Sequence, residues 1–171
     1  MNYLTVPLHS SHKKKNFSCG KSLLDDYLQM QAKQDIKRKL SVCFILVDDK
    51  DNVKGYYTLS STSIQKEILP EAIIKKLPQT YYNLPATLLG RLAIDSSFQK
   101  QRLGELLLLD ALKRSYETSL NSIGSMAIIV DPMDDNAIKF YERYGFILLP
   151  DSGKMFIAMD TVAGLFKAIK M

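Results

Sequence analysis

Residues 88–115 read LLGRLAIDSSFQKQRLGELLLLDALKRS: an apolar strand, a polar turn, then a long helix. From Gly104 to about Leu120 the spacing is helical. Leu106, Leu109, Leu112 and Tyr116 fall on one face and Leu107, Leu108 and Ala111 on another, which predicts a helix buried over most of its circumference. The turn is dense in amide and basic side chains. Backbone N–H groups at a helix start have no partner within the helix and sit at the positive end of its dipole, so an anion placed there gains several hydrogen bonds at once. Gly104 leaves that approach free of a Cβ. Taken alone, the same pattern also serves as a plain connection.

Upstream, Tyr3 to Leu8 is expected to form an opening strand, followed by the polar loop SSHKKKN. Leu23, Leu24, Tyr27, Leu28 and Ala32 then recur at one-turn spacing, with Ser22 and Asp25 resembling a capping box, and a second helical stretch is expected over Lys33 to Leu40. Ser41 to Val47 and Val53 to Ile64 read as a hairpin around DDKDN, Ile68 to Pro78 as one short helix, and Ala86 to Ile94 as a strand. Downstream, Ser125 to Val130 is a continuous apolar strand, Asn136 to Tyr144 a short helix stopped by Gly145, Phe146 to Leu149 and Met155 to Asp160 two strands, and Thr161 to Ile169 a final helix. This order predicts an α/β (α+β) fold with a mixed, mostly antiparallel twisted sheet of about six or seven strands and helices on both faces.

At 171 residues the chain fits one domain, expected to span residues 1–171. Its 46% hydrophobic and 24% charged composition supports a core and excludes disorder, collagen and a disulfide scaffold. No apolar run approaches the ~18 residues of a membrane span, and the lysines near the start follow the apolar stretch rather than precede it, so neither a span nor a signal peptide is expected. Cys19 and Cys43 lack metal-ligand or redox spacing, which points to a reducing cytoplasm and no metal. Cys43, inside VCFILV, reads as a small buried hydrophobe. The net charge is +5, and between His12 and Leu40 eight basic residues face Asp25, Asp26 and Asp35, which accounts for the whole excess. Such a cluster is either a solvated face with a lysine-rich loop or an electrostatic footprint for a polyanion such as RNA.

About thirty residues beyond the first turn, a strand is followed by DDNAIKFYERYGF, residues 134–146. The two segments together resemble the GNAT (GCN5-related N-acetyltransferase) superfamily, whose acetyl-CoA site pairs a [Gln/Arg]-x-x-Gly-x-[Gly/Ala] turn with an Asn-x-x-Ala-x-x-Phe-Tyr-x-x-x-Gly-Phe helix. The resemblance runs over roughly the whole chain and weighs most on residues 88–146. Arg102 departs from the pattern, standing where the superfamily usually has its middle glycine. It either keeps its side chain away from the pyrophosphate-binding backbone or places its guanidinium on a phosphate. LGRLAID, with Gly90 and Arg91, and the stretch carrying Phe17, Cys19, Gly20, Leu24 and Asp25 narrow the likeness to acetyltransferase toxins of toxin–antitoxin pairs, the TacT/AtaT-like group.

The resemblance implies a GNAT fold and acetyl transfer from acetyl-CoA to the α-amine of aminoacyl-tRNA, blocking translation. It implies that Leu92, Ala93 and Ile94, the turn Gln99, Lys100, Gln101, Arg102, Leu103, Gly104 and Glu105, and Asn136 and Phe140 bind acetyl-CoA, and that Tyr141 is the catalytic general acid toward the departing thiolate. Without the resemblance, Phe140, Tyr141 and Tyr144 read as aromatic packing on an amphipathic helix. An α-amine, with a pKa near 7.7 to 8.0, is partly neutral at physiological pH and relaxes the need for a base. Asp95, Asp131, His9 and His12 are the few candidates for one, and both histidines read as loop residues. Arg91 either contacts the tRNA acceptor end or anchors an acidic side chain, while Lys33, Lys37, Arg38 and Lys39, set along a helix, track phosphates with help from Lys13 to Lys15. The implied partners are aminoacyl-tRNA, a ribbon-helix-helix antitoxin and a second copy in a homodimer, with no membrane. Two other readings stay open: a GNAT acetylating a protein N-terminus, lysine or small polyamine, and a degraded acetyl-CoA-binding module.

Overall fold

A computed structural model describes residues 2–169. In chain order the elements are β1 (Val6–Pro7), α1 (Ser22–Asp26), a π-helical turn (Tyr27–Gln31), α2 (Ala32–Lys37), β2 (Val42–Val47), β3 (Val53–Gln65) and a 3-10 turn (Lys66–Ile68). There follow α3 (Glu71–Ile74), β4 (Asn83–Ile94), a second 3-10 turn (Ser96–Phe98), α4 (Leu103–Asn121), β5 (Ala127–Val130), α5 (Asp135–Glu142), β6 (Ile147–Leu148), β7 (Met155–Ala158) and α6 (Met159–Ile169). The seven strands form one mixed sheet in the order β1-β2-β3-β4-β5-β7-β6. β1 with β2, β2 with β3, β5 with β7 and β6 with β7 are antiparallel pairs. α4 connects β4 and β5, which are neighbours in the sheet. No helix among the described residues is long and apolar enough to cross a membrane.

Two compact units emerge, residues 1–60 with 89–114, and residues 61–88 with 115–171. In the first, Phe17, Tyr27, Leu28, Ala32, Cys43, Ile45, Val53, Tyr56 and Ala93 share one buried cluster. Here Cys43 is the buried hydrophobe its sequence context suggests. In the second, Ile64, Leu69, Leu84, Ala86, Ala127, Ile129, Leu149 and Phe156 do the same. The all-buried β5 matches its continuous apolar run.

Several local expectations change. The opening strand shrinks to two residues, because Thr5 turns inward and the backbone N–H of Leu4 is spent on the Asp110 carboxylate at 2.7 Å, while Pro7 has no N–H to give. The capping box is absent: Ser22 is already helical and Lys21 holds the N-cap place, while Asp25 reaches back to accept from the Cys19 N–H at 2.8 Å. The second helical stretch stops at Lys37, since Lys39 adopts a left-handed φ of 61°. Residues 68–78 hold α3 only over Glu71–Ile74, after the separate 3-10 turn. On α4 the buried stripe is Leu107, Leu108, Ala111 and Leu112, and Leu106 is exposed, so less of its circumference is covered than the sequence suggests.

Candidate functional site

β4 ends in Arg91, Leu92, Ala93 and Ile94, and Asp95 turns the chain toward α4. Asp95 is a hinge of hydrogen bonds. Its carboxylate accepts from the backbone N–H of Ser97 at 2.9 Å, capping the 3-10 turn, and from that of Ser18 at 2.9 Å, while Ser96 N–H donates back to the Ser18 carbonyl at 2.8 Å. Gln99 completes the clamp, its side-chain amide donating to the carbonyls of Cys19 at 3.0 Å and Ile94 at 3.1 Å. Phe17 is buried edge-on against Tyr56, and Gly20 takes a φ of 93°, so the Phe17-to-Gly20 segment is locked against the end of β4. Its residues position the turn. Sequence reasoning missed this, although an Asp followed by two serines is a legible capping signal.

The turn itself is bent into an unusual shape. Lys100 and Arg102 both adopt left-handed backbone, with φ of 64° and 59°, and α4 starts at the next residue, Leu103. Glycine suits that conformation best, which explains why the superfamily pattern has one where Arg102 stands. A Cβ built on Gly104 meets no atom within 4 Å, so protein packing does not require this glycine. The first N–H groups of α4 have no acceptor within the helix. Together they form a cradle suited to a pyrophosphate.

Asn136, Phe140 and Tyr141 lie on α5 in the second unit. Asp134 caps this helix by accepting from the Ala137 N–H at 2.8 Å, which leaves Asn136 exposed in the first turn. Phe140 packs edge-on against Tyr141 and Tyr144, with ring centroids 5.3 Å apart in each case, and Tyr141 lies 5.1 Å from Phe146. Gly145, with a φ of 94°, ends the segment as the sequence predicts. Removal from water pushes the Tyr141 phenol up to about 12, so at neutral pH it holds its proton.

Within the protein Arg91 lies on an aromatic ring and does not anchor an acidic side chain directly. Its guanidinium carbon lies 3.5 Å above the centroid of the Tyr27 ring, and the Tyr27 hydroxyl donates to Asp35 at 2.9 Å and shares a hydrogen bond with Ser41 at 3.0 Å. The acidic residue is therefore one step removed from the arginine. The four basic residues grouped along one helix also separate: Lys33 and Lys37 lie on α2, Arg38 is its C-cap, and Lys39 lies beyond it. Of the candidate bases, Asp95 is spent on backbone N–H groups, Asp131 pairs with Lys154 at 3.2 Å, and His12 Nδ1 accepts from the backbone N–H of His9 at 2.9 Å.

A family model described as an acetyltransferase (GNAT) domain matches residues 39–148. A tRNA-acetylating toxin of Mycobacterium tuberculosis (strain ATCC 25618 / H37Rv) is 36% identical over 135 residues, 79% of this chain and 78% of that protein. Among solved structures, AtaT complexed with acetyl-methionyl-tRNAfMet superposes with a TM-score of 0.87 at 28% identity, covering 96% of this chain and 99% of the other. AtaTR bound with acetyl-CoA gives 0.81 at 27% identity over 95% and 96%. A tyrosine-to-phenylalanine mutant of AtaT bound to the C-terminus of the antitoxin AtaR gives 0.78 at 25% identity over 95% and 96%.

Proposed function

The chain belongs to the GNAT acetyltransferase family, and on that premise we propose that it acetylates the α-amine of aminoacyl-tRNA and so stops translation as a toxin. The relative named for tRNA acetylation and the AtaT complex with acetylated methionyl-tRNA support this acceptor. The observation that carries the donor half is the cradle at α4: left-handed Lys100 and Arg102, followed by Gly104 with open space where a Cβ would stand. A fold that needed only a connection would gain stability from a larger residue there. The residues thus fit acetyl-CoA, which supplies the acetyl thioester.

In this mechanism the N–H groups of Leu103, Gly104 and Glu105 hold the pyrophosphate, with Gln101 and the flanking Lys100 and Arg102 around it. Gln99 acts as a positioning residue, because its amide is committed to Cys19 and Ile94. Backbone groups of Leu92, Ala93 and Ile94 pair with the pantetheine arm, and Asn136 and Phe140 hold its thiol end. Tyr141 offers its proton to the departing sulfur. Its phenol, at about 12, lies well above a thiol near 8.5, so it stabilises the thiolate as a hydrogen-bond donor and does not need to ionise. The acceptor α-amine enters neutral and requires no carboxylate base, in keeping with the structural commitments of Asp95 and Asp131.

Residues 1–171 work as one acetyltransferase domain in the cytoplasm, as a homodimer, held in check by an antitoxin with a ribbon-helix-helix part. The AtaR complex supports an antitoxin segment bound to the toxin fold. The decisive test is transfer of labelled acetyl from acetyl-CoA to charged tRNA, beside uncharged tRNA and a lysine peptide, by wild type and Tyr141→Phe. Label on charged tRNA alone, lost in the variant, supports the proposal. Label on the peptide alone overturns the acceptor, and failure to bind acetyl-CoA overturns the enzyme.

A further inference from the structure

The first unit contains a pocket of about 440 Å³ with Leu8 and Ile36 as its floor. Lys14, Lys33 and Lys37 stand around it with His9, and no carboxylate of the described residues lines it. Backbone hydrogen bonds tie down the segments around it. Lys13 N–H donates to the Asp51 carbonyl at 2.8 Å, Val53 N–H donates to the Lys13 carbonyl at 3.1 Å, and Phe17 N–H donates to the Lys14 carbonyl at 3.1 Å, so the loop carrying Lys14 is tied to the β2–β3 hairpin. Leu8 N–H donates to the Cys43 carbonyl at 2.9 Å. Lys33 and Lys37 lie one turn apart on α2.

Lys14 is half-buried, and its ammonium is held below the ordinary lysine value, chiefly by loss of water; the Cys43 thiol acts in the opposite sense, and the positive charge of Lys33 adds to the lowering. Like charges around one space repel until an anion enters. A phosphate alone leaves most of the volume and the apolar floor unused, whereas a nucleotide uses both, its phosphate meeting the ammonium groups and its sugar or base lying on aliphatic surface.

We propose that this pocket seats one nucleotide of the RNA acceptor, with its phosphate on Lys14, Lys33 and Lys37 and its sugar or base against Leu8 and Ile36. The assignment rests on the reading of an RNA acceptor and adds to it a holding subsite distinct from the chemical step. It separates Lys33 and Lys37 from Arg38 and Lys39, which do not line the pocket.

Binding of labelled uncharged tRNA, which requires no acetyl transfer, tests the pocket by itself. Lys33→Ala/Lys37→Ala and Lys14→Ala are compared with Lys75→Ala/Lys76→Ala, an exposed pair on the second unit. The pocket double variant is expected to weaken binding about tenfold at moderate salt and to flatten the salt dependence by about two phosphate contacts, while the control pair stays near wild type. Equal losses in pocket and control variants overturn the proposal. In competition, a short single-stranded RNA should displace the tRNA better than polyphosphate of equal charge. Parity between them removes the nucleotide, and stronger displacement by an acidic peptide assigns the pocket to a protein segment instead. Pocket-dependent tRNA binding without acetylation of charged tRNA overturns the acceptor reading and leaves the pocket standing.

Discussion

Arg102 carries a left-handed backbone, φ 59°, at the last position before α4, where an L side chain pays roughly 1 kcal/mol relative to glycine. Arg102→Gly is therefore expected to raise stability by about 1 kcal/mol, seen as a higher urea midpoint, and to keep acetyl-CoA binding by calorimetry. Tyr141 yields a second expectation. The role argued for it uses the protonated phenol, whose value is raised to about 12, so its contribution is complete at lower pH and is lost only as pH climbs through that value. Across pH 6 to 10 the rate should rise with deprotonation of the acceptor amine, near 7.7 to 8.0, and then level off. A decline beginning between pH 9 and 10 contradicts this. Tyr141→Phe should lower kcat about a hundredfold or more with acetyl-CoA affinity preserved. The helix carrying Tyr141 was legible because its segment has a dense pattern ending in Gly145. The use of Gln99 was hidden, since an amide side chain in a turn announces no partner, and its two acceptors are carbonyls that any residue supplies.

Between Ser22 and Lys37 the helix widens into a π-turn at Tyr27–Gln31, where Tyr27 and Leu28 are buried and Arg91 lies on the Tyr27 ring. Apolar spacing of one turn marked the helix correctly in kind, yet one extra residue per turn leaves no mark in a list of side chains, so the widening was not legible. The hairpin β2–β3 and helix α4 were readable because their patterns are long and bounded by polar turns. The buried side of α4 was misjudged, because leucine at nearly every place leaves the direction of burial open. The clamp between residues 17–20 and the end of β4 offers a test at this scale. Asp95→Ala removes the acceptor that caps the 3-10 turn and holds Ser18, and is expected to cost about 1 kcal/mol. It should raise KM for acetyl-CoA more than it lowers kcat, which steady-state kinetics with varied acetyl-CoA separates.

Across the molecule, the N-terminal segment is tied to α4 by a buried polar network. Asp110 accepts from Leu4 N–H at 2.7 Å, the Thr5 hydroxyl at 2.6 Å and the Tyr57 hydroxyl at 2.7 Å. Arg114 donates to Tyr57 at 3.0 Å and lies between the rings of Tyr3 and Phe44, at 3.7 and 3.8 Å. In sequence, Asp110 and Arg114 look like an ordinary i,i+4 surface pair, and only the fold shows that they are enclosed. Asp110→Ala removes the acceptor of the Leu4 N–H and of the buried Thr5 and Tyr57 hydroxyls and should cost about 3 kcal/mol, measurable by urea denaturation. The order in which the chain is made gives this network a further meaning. Leu4 and Thr5 leave the ribosome more than a hundred residues before the carboxylate that receives them. During synthesis the opening segment must wait, its polar groups served by water, until α4 has emerged. The N-terminal edge is thus finished only once Asp110, more than a hundred residues later, is in place.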